Sequence, residues 1–455
     1  MVAEKILRWF WLLLLWSVAT VHASVPEDEF CINNRAHTSA SAVASNLSIG
    51  IQVRDRGRVV FPGNGGVYHL KWRKKYCRAV SGDERVEIFD KKAFGSWKQK
   101  ASIETRLLKN MELRIGRSGR IDQIYGLNYV YNPHLEEGLP SESRWMTELY
   151  SNSDIPLNQI CMPGTHNAGS YKISALSGED PFMDKPVREI LDKVKFDFLD
   201  LPVKQVVALW AKNQDLNVYE QLKKGVRYLD IRARKVKGRL VTVHQLEGAT
   251  IAKVVEDLRR FLDENPGEVV IFHVSEAHGM SREERREIYQ LLETQLGGRL
   301  SDPKVMTPGS SIKEFQNAGK QVIVVAEDSG DHPMIWHWYQ NLSNIWYDKS
   351  RPDEILERLA ASIPYRRNDQ FYVSQMILTP RDGDIAKMAV PGIPGSQDQL
   401  IDTIRKPSGM MKYLMNAAQK NNKRVNIVLQ DFIEDSDIFR ACMAENKMQL
   451  EGALN

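Results

Sequence analysis

Beyond Trp145 the chain alternates short, β-branched apolar runs with segments of helical spacing, almost to its end. The strand-like runs are "VRYLDIRA", "LVTVH", "EVVIFHVS", "KQVIVVAE", "FYVSQMIL" and "VNIVLQDF". Behind the second, Ile251, Val254, Val255, Leu258, Phe261 and Leu262 recur at helical spacing, with Thr250 placed to cap the first turn. Ser281-Arg282-Glu283-Glu284 opens the next helix as a capping box. Strand–helix alternation over about 290 residues predicts an α/β fold with a parallel sheet covered by helices, and the length suits a closed, TIM-type (β/α) barrel. No internal repeat is evident.

Upstream the pattern is different. "SIGIQV", "RVVFP", "GVYHLKW", "RVEIFD", "MELRIG" and "IDQIYGLNYVY" are short alternating runs between Gly, Asp and Asn clusters, which predicts a small antiparallel, all-β domain. Between Ile51 and Arg120 there are 18 Lys/Arg against 7 Asp/Glu, a local +11; the whole chain carries +4, so the remainder carries −7. "KWRKKYCR" and "KKAFGSWKQK" mix cations with aromatics. This is either a solvated face or a surface suited to an anionic membrane or an acidic glycan. The first residues carry Lys5 and Arg8, then the apolar "WFWLLLLWSVAT", then Val21-His22-Ala23, the arrangement of a secretory signal peptide; the run is short for a signal anchor. The end, "MQLEGALN", lacks the hydrophobic tail of a lipid-anchor signal. The expected division is a signal peptide at 1–23, a β-rich domain at 24–131, a linker at 132–144 and the barrel at 145–455, in a secreted, extracellular protein for which nucleic acid is not an expected partner.

With 42% hydrophobic and 26% charged residues the chain has the composition of a globular protein with a sizeable core. Four cysteines, Cys31, Cys77, Cys161 and Cys442, allow three pairings or none; Cys31 with Cys77 would staple the N-terminal region, and Cys161 with Cys442 the two ends of the barrel domain. Asn46 and Asn341 head candidate glycosylation sequons.

Functional groups of a (β/α) barrel collect at the carboxyl ends of its strands. In "MPGTHNAGSY" the apolar run before it breaks at Pro163-Gly164 and delivers His166 and Asn167. The next strand ends at Asp230 and Arg232, "LVTVH" at His244, "VVIFHVSEAH" near Ser275 and Glu276, and "NIVLQDF" at Asp431. Singly, each has a structural explanation: a hydrogen-bonded histidine, an Arg–Asp ion pair, a capping aspartate. Together, two histidines, an arginine and carboxylates at one mouth are what phosphodiester cleavage needs. One imidazole takes the nucleophile's proton, the other protonates the leaving oxygen, and a guanidinium binds the developing charge.

In order and spacing, "MPGTHNAGSY", "QLKKGVRYLDIRARKVKGRLVTVH", "FLDENPGEVVIFHV" and "VNIVLQDF" resemble the X domain of phosphatidylinositol-specific phospholipases C, most of all the X-domain-containing proteins and their bacterial relatives. The resemblance runs from Trp145 to Phe439, is looser between Ala326 and Gln370, and leaves out the N-terminal β region. It implies a phosphoric diester hydrolase or lyase acting on inositol phospholipids or glycosylphosphatidylinositol, with a cyclic inositol phosphate as product. It implies His166 as general base, His244 as general acid, Arg232 in the place that bacterial-type enzymes fill with arginine and calcium-dependent ones with a metal-binding aspartate, Asp230 at the preceding acidic position, and Asp431 as the partner of His166.

A guanidinium at 232 predicts a metal-independent reaction with no cofactor, because calcium takes about 6–8 oxygen ligands and Arg232 would repel it from Asn167, Asp230 and Glu276. Two positions depart from the bacterial pattern. Asn167 stands where those members have aspartate, and is expected to orient His244 without stabilising its protonated form. Ala326, Glu327 and Asp328 stand where a basic headgroup contact is expected. Trp346 and Tyr347 are placed to stack on a sugar ring or to lie in the core. The alternative functions are a non-catalytic lipid- or glycan-binding protein on the same barrel, and a metal-dependent glycerophosphodiesterase-like enzyme.

Overall fold

The computed structural model describes residues 139–194, 200–329, 331–350, 352–379, 410–436 and 438–452; upstream it describes 29–34, 48–56, 58–62, 67–70, 75–79, 84–91, 98–104, 111–115 and 121–126. The signal-peptide segment, Asn46 and residues 132–138 of the linker lie outside the described residues.

The N-terminal strands are β1 (Glu29–Asn34), β2 (Ser48–Asp55), β3 (Arg58–Phe61), β4 (Tyr68–Leu70), β5 (Lys75–Ala79), β6 (Glu84–Lys91), β7 (Lys98–Glu104), β8 (Met111–Ile115) and β9 (Ile121–Gly126). Among the described residues they form two sheets, in the orders β5-β1-β8-β9 and β3-β2-β6-β7, with β4 sharing with β3 the side of β2 opposite β6. Among the described residues the region is all-β but not wholly antiparallel, since β1 runs parallel to β8. The alternation in β6 is read directly in burial: Val86 and Ile88 are fully buried while Arg85 between its neighbours is exposed. Cys77 is disulfide-bonded, and the antiparallel register of β1 with β5 sets Cys31 directly opposite it.

Ten strands follow: β10 (Met162–Thr165), β11 (Tyr228–Val236), β12 (Arg239–His244), β13 (Leu246–Thr250), β14 (Val270–Glu276), β15 (Val322–Ala326), β16 (Ile335–His337), β17 (Leu342–Asn344), β18 (Phe371–Gln375) and β19 (Ile427–Gln430). Eight of them pair in the order β16-β15-β14-β11-β10-β19-β18-β17, every pair on this path parallel. Followed along the chain, these strands circle a barrel, as the alternation predicts. Among the described residues no ladder joins β16 to β17, so the barrel is nearly but not fully closed.

One strand departs from the expected pattern. "LVTVH" is not a barrel stave; β12 folds back antiparallel on the second half of β11, and β13 pairs with it in turn. The reason is length. β11 runs nine residues, outlasting its ladder with β14, which ends at Arg232 opposite Glu276; the overhang from Ala233 to Val236 needs a partner, and β12 provides it across a tight turn at Lys237-Gly238. The hairpin therefore brings His244 back down to the mouth.

The helices form where the sequence places them. Ile251–Glu264 is capped by the Thr250 hydroxyl, which accepts from Lys253 N–H, and all six of its spaced apolar residues are fully buried. Arg282–Leu296 starts at Ser281 with both bonds of the capping box present. At the opposite end of the barrel from the strand termini, Arg227 is wholly buried and donates to Glu268 through Nε (2.9 Å) and Nη2 (2.6 Å). Glu268 in turn accepts from the Thr147 hydroxyl at 2.7 Å, locking the helix Trp145–Tyr150 under the barrel. Cys161, just before β10, is disulfide-bonded to Cys442 on the helix Ile438–Leu450. Asn446 of that helix clamps both backbone groups of Cys161 at 2.9 Å.

Candidate active site

The mouth is built from the carboxyl ends of β10, β11 and β19 and from the β12 hairpin. Pro163 and Gly164 do not break the run; both lie inside β10, where a Cβ on Gly164 would stand 3.0 Å from the Tyr228 ring. The chain turns at Asn167 instead, in the left-handed region at φ 45°, a conformation asparagine tolerates. Asp230 fixes that turn: its carboxylate accepts from Asn167 N–H at 3.0 Å and its carbonyl from Ala168 N–H at 2.9 Å. Burial pushes the Asp230 carboxyl up, but His166, Arg232 and the Asn167 and Ser275 hydrogen bonds outweigh it and hold it below the usual carboxylate range. Asp230 thus sits beneath the turn as its anchor.

His166 has partners on both ring nitrogens. Nδ1 lies 2.7 Å from Asp431 Oδ1, and both side chains are nearly buried, at 9% and 4% exposure. Nε2 faces the Asn167 carboxamide nitrogen at 3.1 Å and Arg232 Nη2 at 3.2 Å. Both of these are donors, so Nε2 carries the lone pair and Nδ1 carries the proton that Asp431 accepts. That is the tautomer a general base needs.

His244 lies with its ring centroid 5.9 Å from that of His166, edge to face. Its Nδ1 donates to the Ala211 carbonyl at 2.8 Å, which leaves Nε2 for a substrate. Asn167 is not its partner: the carboxamide donates to Asn213 Oδ1 at 2.8 Å and to His166. The expectation that Asn167 orients His244 is therefore corrected; the turn at φ 45° aims the amide at the base. Burial, then the charges of Arg232 and His166, pull the His244 pKa down to about 3. In the resting site this ring is neutral.

Arg232 continues into a chain of ions. Its Nε stands 3.6 Å from Glu276, whose other oxygen accepts from Arg234 Nη2 at 2.5 Å, and Arg234 Nε is 3.6 Å from Asp180. Glu276 is placed at the mouth as expected, holding two arginines. Trp346 and Tyr347 leave the carboxyl end of β17; Trp346 is 56% exposed and donates from Nε1 to the Thr379 hydroxyl at 3.1 Å, whereas Tyr347 packs on the core. Ala326 ends β15 and is buried. Asn341 is tied to the His337 carbonyl at 2.9 Å through its amide.

Sequence reasoning missed residues 211–214, which bind the site together. Ala211 holds His244, Asn213 holds Asn167, and Gln214 Nε2 donates to the carbonyls of His166 and Gln430, each at 3.0 Å. Backbone carbonyls and amides have no spacing signature; the only signal was "KNQD", four polar residues closing an apolar helix. Among the described residues no group of three or more His, Cys, Asp or Glu side chains is arranged to hold a metal ion.

A (β/α) barrel with a carboxylate-held histidine, a second histidine and an arginine at its mouth has the layout of an acid–base phosphodiesterase site. The chain matches, over residues 204–328, the sequence profile described as "Phosphatidylinositol-specific phospholipase C, X domain". It is 26% identical to human PI-PLC X domain-containing protein 3 over 319 residues, 68% of this chain and 95% of that protein. It is 29% identical to zebrafish PI-PLC X domain-containing protein 1 over 244 residues, 52% of this chain and 75% of that one. Among solved structures it is similar to the phosphatidylinositol-specific phospholipase C of Listeria monocytogenes, with a TM-score of 0.46 and 16% identity over 67% of this chain and 99% of the other.

Proposed function

We propose that this protein is a metal-independent phosphodiesterase of the phospholipase C type, acting on inositol phospholipids or glycosylphosphatidylinositol. His166 Nε2 takes the proton of the inositol 2-hydroxyl, and the 2-oxygen attacks phosphorus. The bond from phosphorus to the glycerol oxygen breaks, and His244 gives that oxygen its proton. Arg232 binds the phosphate charge throughout, and Asp431 stabilises the imidazolium formed at His166. The observation that carries this reading is the polarity of His166: proton on the Asp431 side, lone pair beside the Arg232 guanidinium. His244 is neutral in the free protein, and an anionic phosphodiester beside it favours its protonation. Metal independence rests on Arg232 and on the engagement of Asp230, Asp431 and Glu276 with a backbone N–H, His166 and two arginines. The same engagement argues against the glycerophosphodiesterase reading, which needs carboxylates for a metal. In this account the signal segment directs secretion, glycosylation is extracellular, and the basic β region rests on anionic membrane.

One feature favours a binding protein instead: His244 Nδ1 is held by a carbonyl where His166 has a carboxylate, and the charge of Asp230 favours its protonated form less than burial opposes it. The test is release of inositol 1,2-cyclic phosphate from phosphatidylinositol vesicles, with excess chelator and again with calcium. Product in chelator that vanishes in His166→Ala is the expected result. Product only with calcium would overturn metal independence, and vesicle binding without product, unchanged in His166→Ala, would favour the binding protein.

A further inference from the structure

We propose that Asn213 is a positioning residue for His166: it sets the orientation of the Asn167 carboxamide and, through it, which imidazole nitrogen carries the proton. The inference rests on the reading of His166 as the base. A carboxamide can turn over and exchange its oxygen and nitrogen with almost no change of shape, so packing alone does not decide which atom Asn167 shows to Nε2. The partner on its far side does. Asn213 Oδ1 lies 2.8 Å from the Asn167 nitrogen; turned over, Asn167 would set two oxygens face to face at that distance.

The orientation adopted has a cost, because Asn167 Oδ1 is buried without a hydrogen-bond partner, and buried acceptors are rarely left so. The opposite orientation would satisfy that oxygen with a proton on His166 Nε2, displacing the Arg232 donor at 3.2 Å, and the base would lose its lone pair. Asn213 is itself held from two directions: its N–H donates to the Ser170 hydroxyl at 3.0 Å, and its carbonyl accepts from Phe432 N–H at 2.7 Å, next to Asp431. It is thus anchored both to the loop after His166 and to the segment carrying its carboxylate. An amide at position 167, where an aspartate could only accept, serves a base of this polarity provided that something like Asn213 keeps its N–H side inward.

Asn213 and Asn167 turned over together would preserve their mutual bond while reversing the amide at Nε2. Aspartate at 213 has no donor and forbids that arrangement, which makes it the discriminating variant. The experiment uses the full chain with 15N-labelled histidine. Imidazole 15N shifts report the tautomer of His166, assigned against His166→Ala, and cyclic phosphate release from phosphatidylinositol vesicles reports turnover. Wild type and Asn213→Asp are expected to show Nδ1–H. Asn213→Leu, or Asn213→Ala if leucine does not fit, is expected to show substantial Nε2–H, with kcat down about tenfold and KM within about twofold, a loss of one hydrogen bond's worth of orientation. An unchanged tautomer in both apolar variants would overturn the proposal. So would damage in Asn213→Asp equal to that in Asn213→Leu, which would make the effect one of packing. If the wild type turns over no inositol lipid, the enzyme reading fails, and the tautomer comparison still decides the role of Asn213.

Discussion

Replacing Asp431 with asparagine keeps the shape of the side chain and removes its charge at the contact that polarises His166. In the resting site the carboxylate accepts from Nδ1 at 2.7 Å, with both groups shielded from water. Two effects follow from the substitution. When the base is charged in the transition state, a carboxylate about 4 Å from the centre of the imidazolium supplies about 4 kcal/mol at an effective dielectric of about 20, and an amide supplies little of it. The asparagine can also present its nitrogen to Nδ1. The proton must then move to Nε2, where the Asn167 amide and Arg232 already point donors at 3.1 and 3.2 Å. The expected result is a fall in kcat of about a thousandfold, the rate equivalent of about 4 kcal/mol, with little change in KM because Asp431 touches no substrate. Cyclic phosphate release measures it, with circular dichroism as a check on folding. A folded Asp431→Asn that retains more than a tenth of wild-type kcat would refute the assignment of Asp431 as the orienting carboxylate.

Glu268→Gln leaves Arg227 buried with its charge unmatched and should cost about 3–5 kcal/mol; a urea midpoint within error of wild type would contradict the account of the barrel floor. Gly169→Ala puts a Cβ 2.3 Å from the Thr242 methyl group on β12, which should push the hairpin carrying His244 outward; loss of turnover with a retained fold is expected, and unaltered kcat would mean that hairpin position is not critical. His244 and His273 have their pKa values lowered by burial to about 3 and about 4, against an unfolded value near 6.5. The unfolded chain therefore binds more protons below that value, so their contribution to stability is complete above about pH 6.5 and is lost as pH falls toward 4. Urea midpoints measured from pH 7 down to 4.5 should fall, and a flat profile would contradict the neutral state assigned to both rings.

The barrel was legible because most of its strands carry continuous apolar, β-branched runs and its helices announce their caps: Thr250 and Ser281 sit where propensity puts them. His166, Arg232 and Asp431 were legible as polar groups ending such strands, and they meet within hydrogen-bond distance. His244 was found with the wrong geometry attached to it. A period-two run cannot distinguish a barrel stave from a return hairpin, and only the overhang of β11 decides between them. The short β16 and β17, three residues each, fell below any periodicity. So did β5 and β7, where lysines and arginines hide the alternation. The pairing of Cys161 with Cys442 was one arrangement among several in the sequence; the three-dimensional reason for it is that the helix Ile438–Leu450 packs beside β10.

Among the described residues no ladder joins β16 to β17, which makes this barrel a ribbon bent into a ring rather than a hoop. Among the described residues the outer edges of β16 and β17 have no strand partner, so their amides should exchange with deuterium before those of β10 or β14. β10 lies four steps along the ribbon from β16 and three from β17, directly across the ring from the gap. That is also where Cys161 and Cys442 fasten the chain. A ring clasped at the back and parted at the front can change its girth without breaking a single strand pairing, which gives the mouth an adjustable width.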